Sequence, residues 1–190
     1  MQDLTLFMVL LGCTPRGRHI EQHDIFFGIS TDIKSLVPEI IEFWPEAEGD
    51  IHIDAWREIK YAGGYEISVT ERITQPWLIE DTAADKLFFI NLGGYKENEF
   101  EEFHYKMLTV ASNKGLAIQQ AKQTAFYKHT GFKGAESHID DKYGVDVDDI
   151  YAREDILPPG IKEKYSIQLK VNEAGKTDSL HLGYFMLHKL

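Results

Sequence analysis

Leu6-Phe7-Met8-Val9-Leu10-Leu11-Gly12 is an unbroken apolar run that ends on glycine, and it returns as Leu87-Phe88-Phe89-Ile90-Asn91-Leu92-Gly93. Alternating apolar and polar residues mark a strand with one wet face, whereas an apolar run of this length marks a strand buried on both. Working outward, Glu21-Gln22-His23 returns as Glu102-Phe103-His104, at the same spacing of 81 positions that separates Leu6 from Leu87. His52-Ile53-Asp54 returns as His138-Ile139-Asp140, now 86 positions on, so a few residues enter between the two motifs. The chain repeats its strand and its histidine–acid pairs together.

The segments between these landmarks repeat in order. Asp24 to Ser30 reads as a second strand. Ile33, Leu36, Val37, Ile40, Ile41 and Trp44 then recur at helical spacing, with Asp32 or Ser35 as the cap, Pro38 favouring Ser35, and Pro45 as the stop. Ile51 to Ile59 and Tyr65 to Glu71 read as strands around the turn signal Gly63-Gly64. In the second half, His104 to Ala111 reads as a strand and Leu116 to His129 as one helix of strong helix formers. Tyr165-Ser166-Ile167-Gln168-Leu169 echoes Tyr65-Glu66-Ile67-Ser68-Val69, and a terminal hairpin is expected from Tyr165 to Leu187 through Asn172 to Gly175.

The expected fold is therefore α+β. Two tandem ββαβ units would form a mixed sheet, with helices packed on it, about a pseudo-twofold axis. The first repeat spans 1–73, a connection 74–86, and the second repeat, with an acidic insert and the hairpin, 87–190. The repeats are expected to pack as one domain. A half of this size has a thin core and would expose an apolar sheet edge if it stood alone.

Composition narrows the function classes. The 190 residues carry 43% hydrophobic and 12% aromatic side chains, enough for a packed core. Acids outnumber bases 31 to 20 for a net charge of −11, and no basic run occurs, so nucleic acid and anionic membranes are poor partners. The single cysteine, Cys13, excludes an intrachain disulfide and fits a reducing, cytoplasmic setting. Leu10-Leu11-Gly12-Cys13 loosely imitates a lipoprotein signal. The stretch before it lacks Lys and Arg, carries Asp3, and recurs deep in the chain, so it reads as a core strand. No apolar run approaches the ~20 residues that cross a bilayer as a helix.

The chemistry-bearing candidates are Glu21, His23, His52 and Asp54 in the first half, and Glu102, His104, His138 and Asp140 in the second. On a strand, residues two apart share a face, so each Glu-x-His and His-x-Asp pair places imidazole beside carboxylate. Three readings stay open: a polar brace that fixes strand register, a small-ligand site, or a divalent metal site. No HxxxH or CxxC spacing singles out the metal, and no organic cofactor is expected. Arg16, Gly17 and Arg18 form a candidate anion-binding loop, against the plainer reading of a solvated turn. It ends in neither a Walker nor a dinucleotide pattern. Asp140 to Asp149 is dense in acids yet lacks the EF-hand order, Cys13 has no partner motif for a nucleophile, and Trp44, Trp56 and Trp77 read as core or contact residues.

Leu-Phe-x4-Gly followed by Cys or Gly, then Glu-x-His, then His-Ile-Asp, resembles the bacterial family catalogued as Domain of Unknown Function 1543. The resemblance covers Leu6 to Ile59 and Leu87 to about Ile150. It implies a short domain that occurs singly or in tandem, and it implies no activity. The second copy departs at Tyr105, where Asp24 stands, and at Tyr95-Lys96-Glu97-Asn98 in place of the Pro-Arg-Gly-Arg loop. If the first loop binds a ligand, the second is not expected to. The leading expectation is a module that binds a small molecule or a protein, a second copy of the chain included. The competing one is a metal-assisted hydrolase built on His23, His52 and their acids.

Overall fold

A strand that is apolar on both sides needs a cover on each, and the chain supplies both. In the computed structural model, which describes residues 3–72, 85–144, 156–172 and 174–190, β1 (Thr5–Cys13) is a central strand. It pairs antiparallel with β2 (Gln22–Ser30) on one side. After α1 (Val37–Phe43), β3 (His52–Ile59) pairs antiparallel with its other side. β4 (Tyr61–Ala62) and β5 (Tyr65–Glu71) close a tight hairpin through Gly63 and Gly64, whose φ values of 55° and 84° disfavour a side chain.

The second half runs in the same order. β6 (Lys86–Tyr95) is central and pairs with β7 (Glu102–Ala111). α2 (Lys114–Ala121), α3 (Ala125–His129) and the small hairpin of β8 (Gly131–Phe132) and β9 (Ala135–Glu136) lead to β10 (His138–Gly144), which pairs with the other side of β6. α4 (Pro159–Lys164) then enters β11 (Tyr165–Val171), and β12 (His181–Met186) ends the fold.

Among the described residues four sheets result, ordered β12-β3-β1-β2, β10-β6-β7, β11-β5-β4 and β8-β9. Every pairing among the described residues is antiparallel, so the expected mixed sheet is corrected to several antiparallel ones. The expected terminal hairpin is corrected too. β11 pairs with β5, where Ile167 faces the same apolar cluster as Ile67, and β12 completes the free edge of β3. Trp77, most of the 74–86 connection and the 145–155 part of the acidic insert lie outside the described residues.

Side-chain alternation along the central strands assembles three cores. Leu6 and Met8 of β1 meet Leu87 and Phe89 of β6 in one cluster, together with Phe27, Ile67 and Ile167. The two larger sheets therefore pack face to face, and Phe27 and Phe89 touch edge to face at 5.5 Å. Phe7, Val9 and Leu11 point the other way, against Leu36 and Ile40 at α1. Phe88, Ile90 and Leu92 likewise meet Ala117 and Ala121 of α2. The layers are helix, sheet, sheet, helix. No described helix is long and apolar enough to cross a membrane.

The helices differ in detail from their sequence pattern. Asp32, not Ser35, anchors the turn before α1, its carboxylate accepting from Ser35 N at 2.9 Å. α1 has only 7 residues, and Ile41 stays 44% exposed because so short a helix covers the sheet with Leu36 and Ile40 alone. The long helix expected over 116–129 breaks in two. The Thr124 hydroxyl donates to Ala121 O at 2.7 Å and accepts from Tyr127 N at 3.2 Å, ending α2 and capping α3.

Because Phe89 joins the two sheets and is 3% exposed, Phe89→Ala should destabilise the whole chain by about 3–5 kcal/mol in a single transition. Chemical denaturation checks it. Loss of one transition with a second retained would mean that the halves have separate cores.

Candidate functional site

The central strands run out of apolar residues at Gly12 and Gly93, and the histidines gather there. Gly12 of β1 lies opposite His23 on β2 and His52 on β3. Gly93 of β6 lies opposite His104 on β7 and His138 on β10. Neighbouring strands sit about 4.8 Å apart, so two histidines that flank one strand can meet only over a residue with no side chain. A Cβ on Gly12 would stand 2.6 Å from Asp54 Oδ2 and closer still to His52 Nε2. One on Gly93 would stand 2.6 Å from Asp140 Oδ2, 2.7 Å from His138 Nε2 and 2.8 Å from Glu102 Oε1. Each glycine is the floor of a cluster.

The aspartates arrive by β-bulges. Leu10 pairs with Ala55 and Leu11 with Ile53, which leaves Asp54 as the extra residue. Ile139 pairs with Leu92 and Asp141 with Asn91, which leaves Asp140 as its counterpart. A bulge re-aims the side chain it carries, and here both carboxylates turn to the histidines.

The first quartet is thereby complete. His52 Nε2 lies 3.0 Å from Glu21 Oε1 and 3.3 Å from Asp54 Oδ1. His23 Nε2 lies 3.4 Å from Glu21 Oε2 and 3.2 Å from Asp54 Oδ2. Each carboxylate thus spans both imidazoles, one oxygen to each. Donor atoms of Glu21, His52 and Asp54 fall within 4.8 Å of one another. The side chain of His52 is only 8% exposed, and its Nε2 and Asp54 Oδ2 are buried without a hydrogen-bond partner. Tyr184 of β12 stacks on the His52 ring at 4.1 Å, which closes that side.

The second quartet repeats three of the four contacts in a more open setting. His138 Nε2 lies 2.9 Å from Glu102 Oε1 and 2.8 Å from Asp140 Oδ1, and His104 Nε2 lies 3.3 Å from Asp140 Oδ2. Glu102, His104 and Asp140 form the compact donor set. The His138 side chain is 42% exposed, with Tyr95 stacked at 5.9 Å and the Tyr95 phenol hydrogen-bonded to Glu102. His138 Nδ1 lies 3.0 Å from the Glu136 carbonyl, a contact that fixes the proton on Nδ1 and leaves Nε2 as the donor atom.

The pattern of the sequence pointed to all eight of these side chains but not to what holds them together. Gly12, Gly93, Tyr95 and Tyr184 were not among the candidates, although the glycine that ends each apolar run was visible. Arg16, Gly17 and Arg18 occupy the exposed turn between β1 and β2, closed by Arg18 N donating to Pro15 O at 3.0 Å. Cys13 faces the core under α1. Burial pushes its thiol up, and Asp50 and Glu21 add to the shift, which disfavours a nucleophilic thiolate.

The Glu136 carbonyl, with Asp140 and Glu102 beside it, raises the imidazole of His138 above the ordinary 6.5. The protonated ring therefore stabilises the fold below the unfolded-state value, and that contribution fades as pH rises through the folded one. A titration followed by NMR should give His138 a midpoint above 6.5 without metal. A midpoint at or below that value would remove the contact as a cause.

Comparison with known proteins places the first quartet within a recognised domain. Residues 18–69, which contain Glu21, His23, His52 and Asp54, match the family model described as Domain of Unknown Function (DUF1543). No curated protein matches the chain. Among solved structures, a protein Il1583 from Idiomarina loihiensis is similar over 97% of this chain and 98% of that one, with a TM-score of 0.57 and 19% sequence identity. At that identity the likeness is one of fold. What the comparisons give is a DUF1543 domain at 18–69 and a fold seen before across the whole chain.

Proposed function

We propose that the chain is a tandem-duplicated metal-binding module whose two His/carboxylate quartets each hold a divalent transition ion. One observation carries the reading. His52 Nε2 and Asp54 Oδ2 are buried and have no hydrogen-bond partner, although carboxylate and imidazole atoms lie 3.0–3.3 Å away. A polar brace would pair such atoms, since an orphaned buried polar group costs about 1–3 kcal/mol. A cation between them satisfies both. Ligands bonded at ~2.0–2.1 Å to a tetrahedral zinc-class ion stand about 3.3 Å apart, and His52 Nε2 lies 3.0 and 3.3 Å from its two carboxylate neighbours.

The donor types narrow the ion. Imidazole with carboxylate suits zinc and its first-row neighbours, whereas magnesium and calcium favour all-oxygen shells. Glu21, His52 and Asp54 would bind in the first centre, with His23 against the far oxygens of the same carboxylates. Glu102, His104 and Asp140 would do so in the second, with His138 against the carboxylates of Glu102 and Asp140. The hydrolase reading needs in addition a general base that is not itself a ligand. In the first quartet the one group outside the donor set, His23, is held against both carboxylates, so binding is the simpler function.

The duplication reading is supported by register. The orders β3-β1-β2 and β10-β6-β7 correspond strand for strand. β5 and β11 pair antiparallel with Ser68 opposite Gln168, positions that correspond in the echo noted above, as a twofold axis through that pair requires.

Protein purified without an affinity tag should take up two equivalents of Co²⁺ or Zn²⁺ per chain. His52→Ala and His104→Ala should each lose one. Ligand at a hundredfold over its dissociation constant stabilises by about 2.7 kcal/mol, so thermal unfolding gives a second readout. Gly12→Ala should abolish the first centre while circular dichroism shows the strands intact. Asp54→Asn tests the same centre without backbone crowding. If neither uptake nor thermal shift occurs, the quartets are braces and the reading fails.

A further inference from the structure

The two quartets share a backbone but not an electrostatic rim. In the first hairpin, Pro15-Arg16-Gly17-Arg18 makes a turn closed by Arg18 N to Pro15 O, with Gly17 at φ 82°. In the second, Lys96-Glu97-Asn98-Glu99 makes the same turn, closed by Glu99 N to Lys96 O, with Asn98 at φ 66°. A positive φ at the third position of a turn selects Gly or Asn, so the two turns correspond residue for residue. This corrects by one position the alignment read from the sequence. Arg16 stands where Glu97 does, and Arg18 where Glu99 does.

The charge of the rim is thereby inverted. Residues 14–20 carry +2 with histidine neutral, and residues 95–101 carry −2. Both turns sit between the glycine floor and the first acidic donor, Glu21 in one half and Glu102 in the other. A divalent ion cancels the two carboxylates of its quartet, so the loaded first centre keeps an excess of two positive charges and the second an excess of two negative. In a chain of net charge −11, arginines ordinarily find carboxylates. Among the described residues, neither Arg16 nor Arg18 has a side-chain hydrogen bond or ion pair, and both are exposed. Lys96 of the other turn is already engaged, 4.0 Å from Glu99 and 4.0 Å above the Phe103 ring.

We infer that the first centre takes a small oxyanion, a carboxylate or phosphate group that completes the metal's coordination while Arg16 and Arg18 neutralise it, and that the second centre takes none. The inference rests on the metal reading. Guanidinium groups present a donor fork that fits both kinds of oxyanion, and a zinc-class ion with three protein donors keeps a position for an outside ligand. At the second centre, Glu97, Glu99 and Glu101 repel the same anion.

Co²⁺ supplies a visible spectrum that reports its coordination. Full-length chain bearing His104→Ala isolates the first centre, and chain bearing His52→Ala isolates the second; each is loaded to measured stoichiometry. Inorganic phosphate and acetate, titrated separately, should change the spectrum of the first centre at concentrations at least about tenfold below any effect at the second. The stronger of the two identifies the source of the oxyanion. Arg16→Ala with Arg18→Ala should weaken that response about tenfold or more, and Glu97→Arg with Glu99→Arg should confer one on the second centre. Equal responses at both centres, or a response that survives loss of both arginines, overturns the inference. A Co²⁺ spectrum indifferent to either anion overturns it too and leaves the metal reading standing. Absence of any Co²⁺ spectrum removes both.

Discussion

Burial of β1 and β6 on both faces is the constraint from which the rest follows. Each central strand is walled by its neighbouring strands, by the facing sheet and by a helix layer, so no polar side chain fits along most of its length. Leu6, Val9, Leu11, Leu87 and Leu92 are all fully enclosed. The only place where polar groups can converge over such a strand is its end, and there the side chain itself must vanish. Gly12 and Gly93 meet that demand, and the histidines on either side close over the gap. The apolar core and the polar clusters are thus two ends of one strand.

Crowding two carboxylates and two imidazoles over one backbone has an electrostatic cost. Like-charged carboxylates repel, and burial removes the water that would otherwise screen them. The fold nevertheless devotes a glycine and a β-bulge to the arrangement in each half. A brace could hold register with one histidine and one acid per strand pair, exposed at the sheet edge. The proposed cation would offset that crowding and satisfy the orphaned His52 and Asp54 atoms of the first quartet.

The sequence made some of this legible and hid the rest for physical reasons. The central strands were plain because double burial writes itself as an apolar run. The eight donor side chains were plain because Glu-x-His and His-x-Asp each occur twice. The bulges at Asp54 and Asp140 were invisible, since a bulge is a property of pairing, and pairing is non-local. The floor role of Gly12 needs the cross-strand register with His23 and His52, which no single strand contains. Sheet type was misread for the same reason, as was the destination of β12. The break between α2 and α3 hung on one hydroxyl, Thr124, whose preference for capping outweighed good helix formers on both sides.

The covers of the two quartets differ in origin, and that difference bears on how each can behave. Tyr95 belongs to the strand that carries its own glycine floor, so the second quartet is assembled within one three-stranded sheet. Tyr184 comes from β12, more than a hundred residues beyond His52, and reaches it only because β12 pairs with the edge of β3. His52 owes part of its enclosure to that strand. A charge shielded from water interacts more strongly with its neighbours than one left in solvent. The enclosure of the first quartet therefore depends on the C-terminal strand being docked. Anything that loosens β12 acts on His52 first, with the second quartet, built from its own half, left as the internal reference.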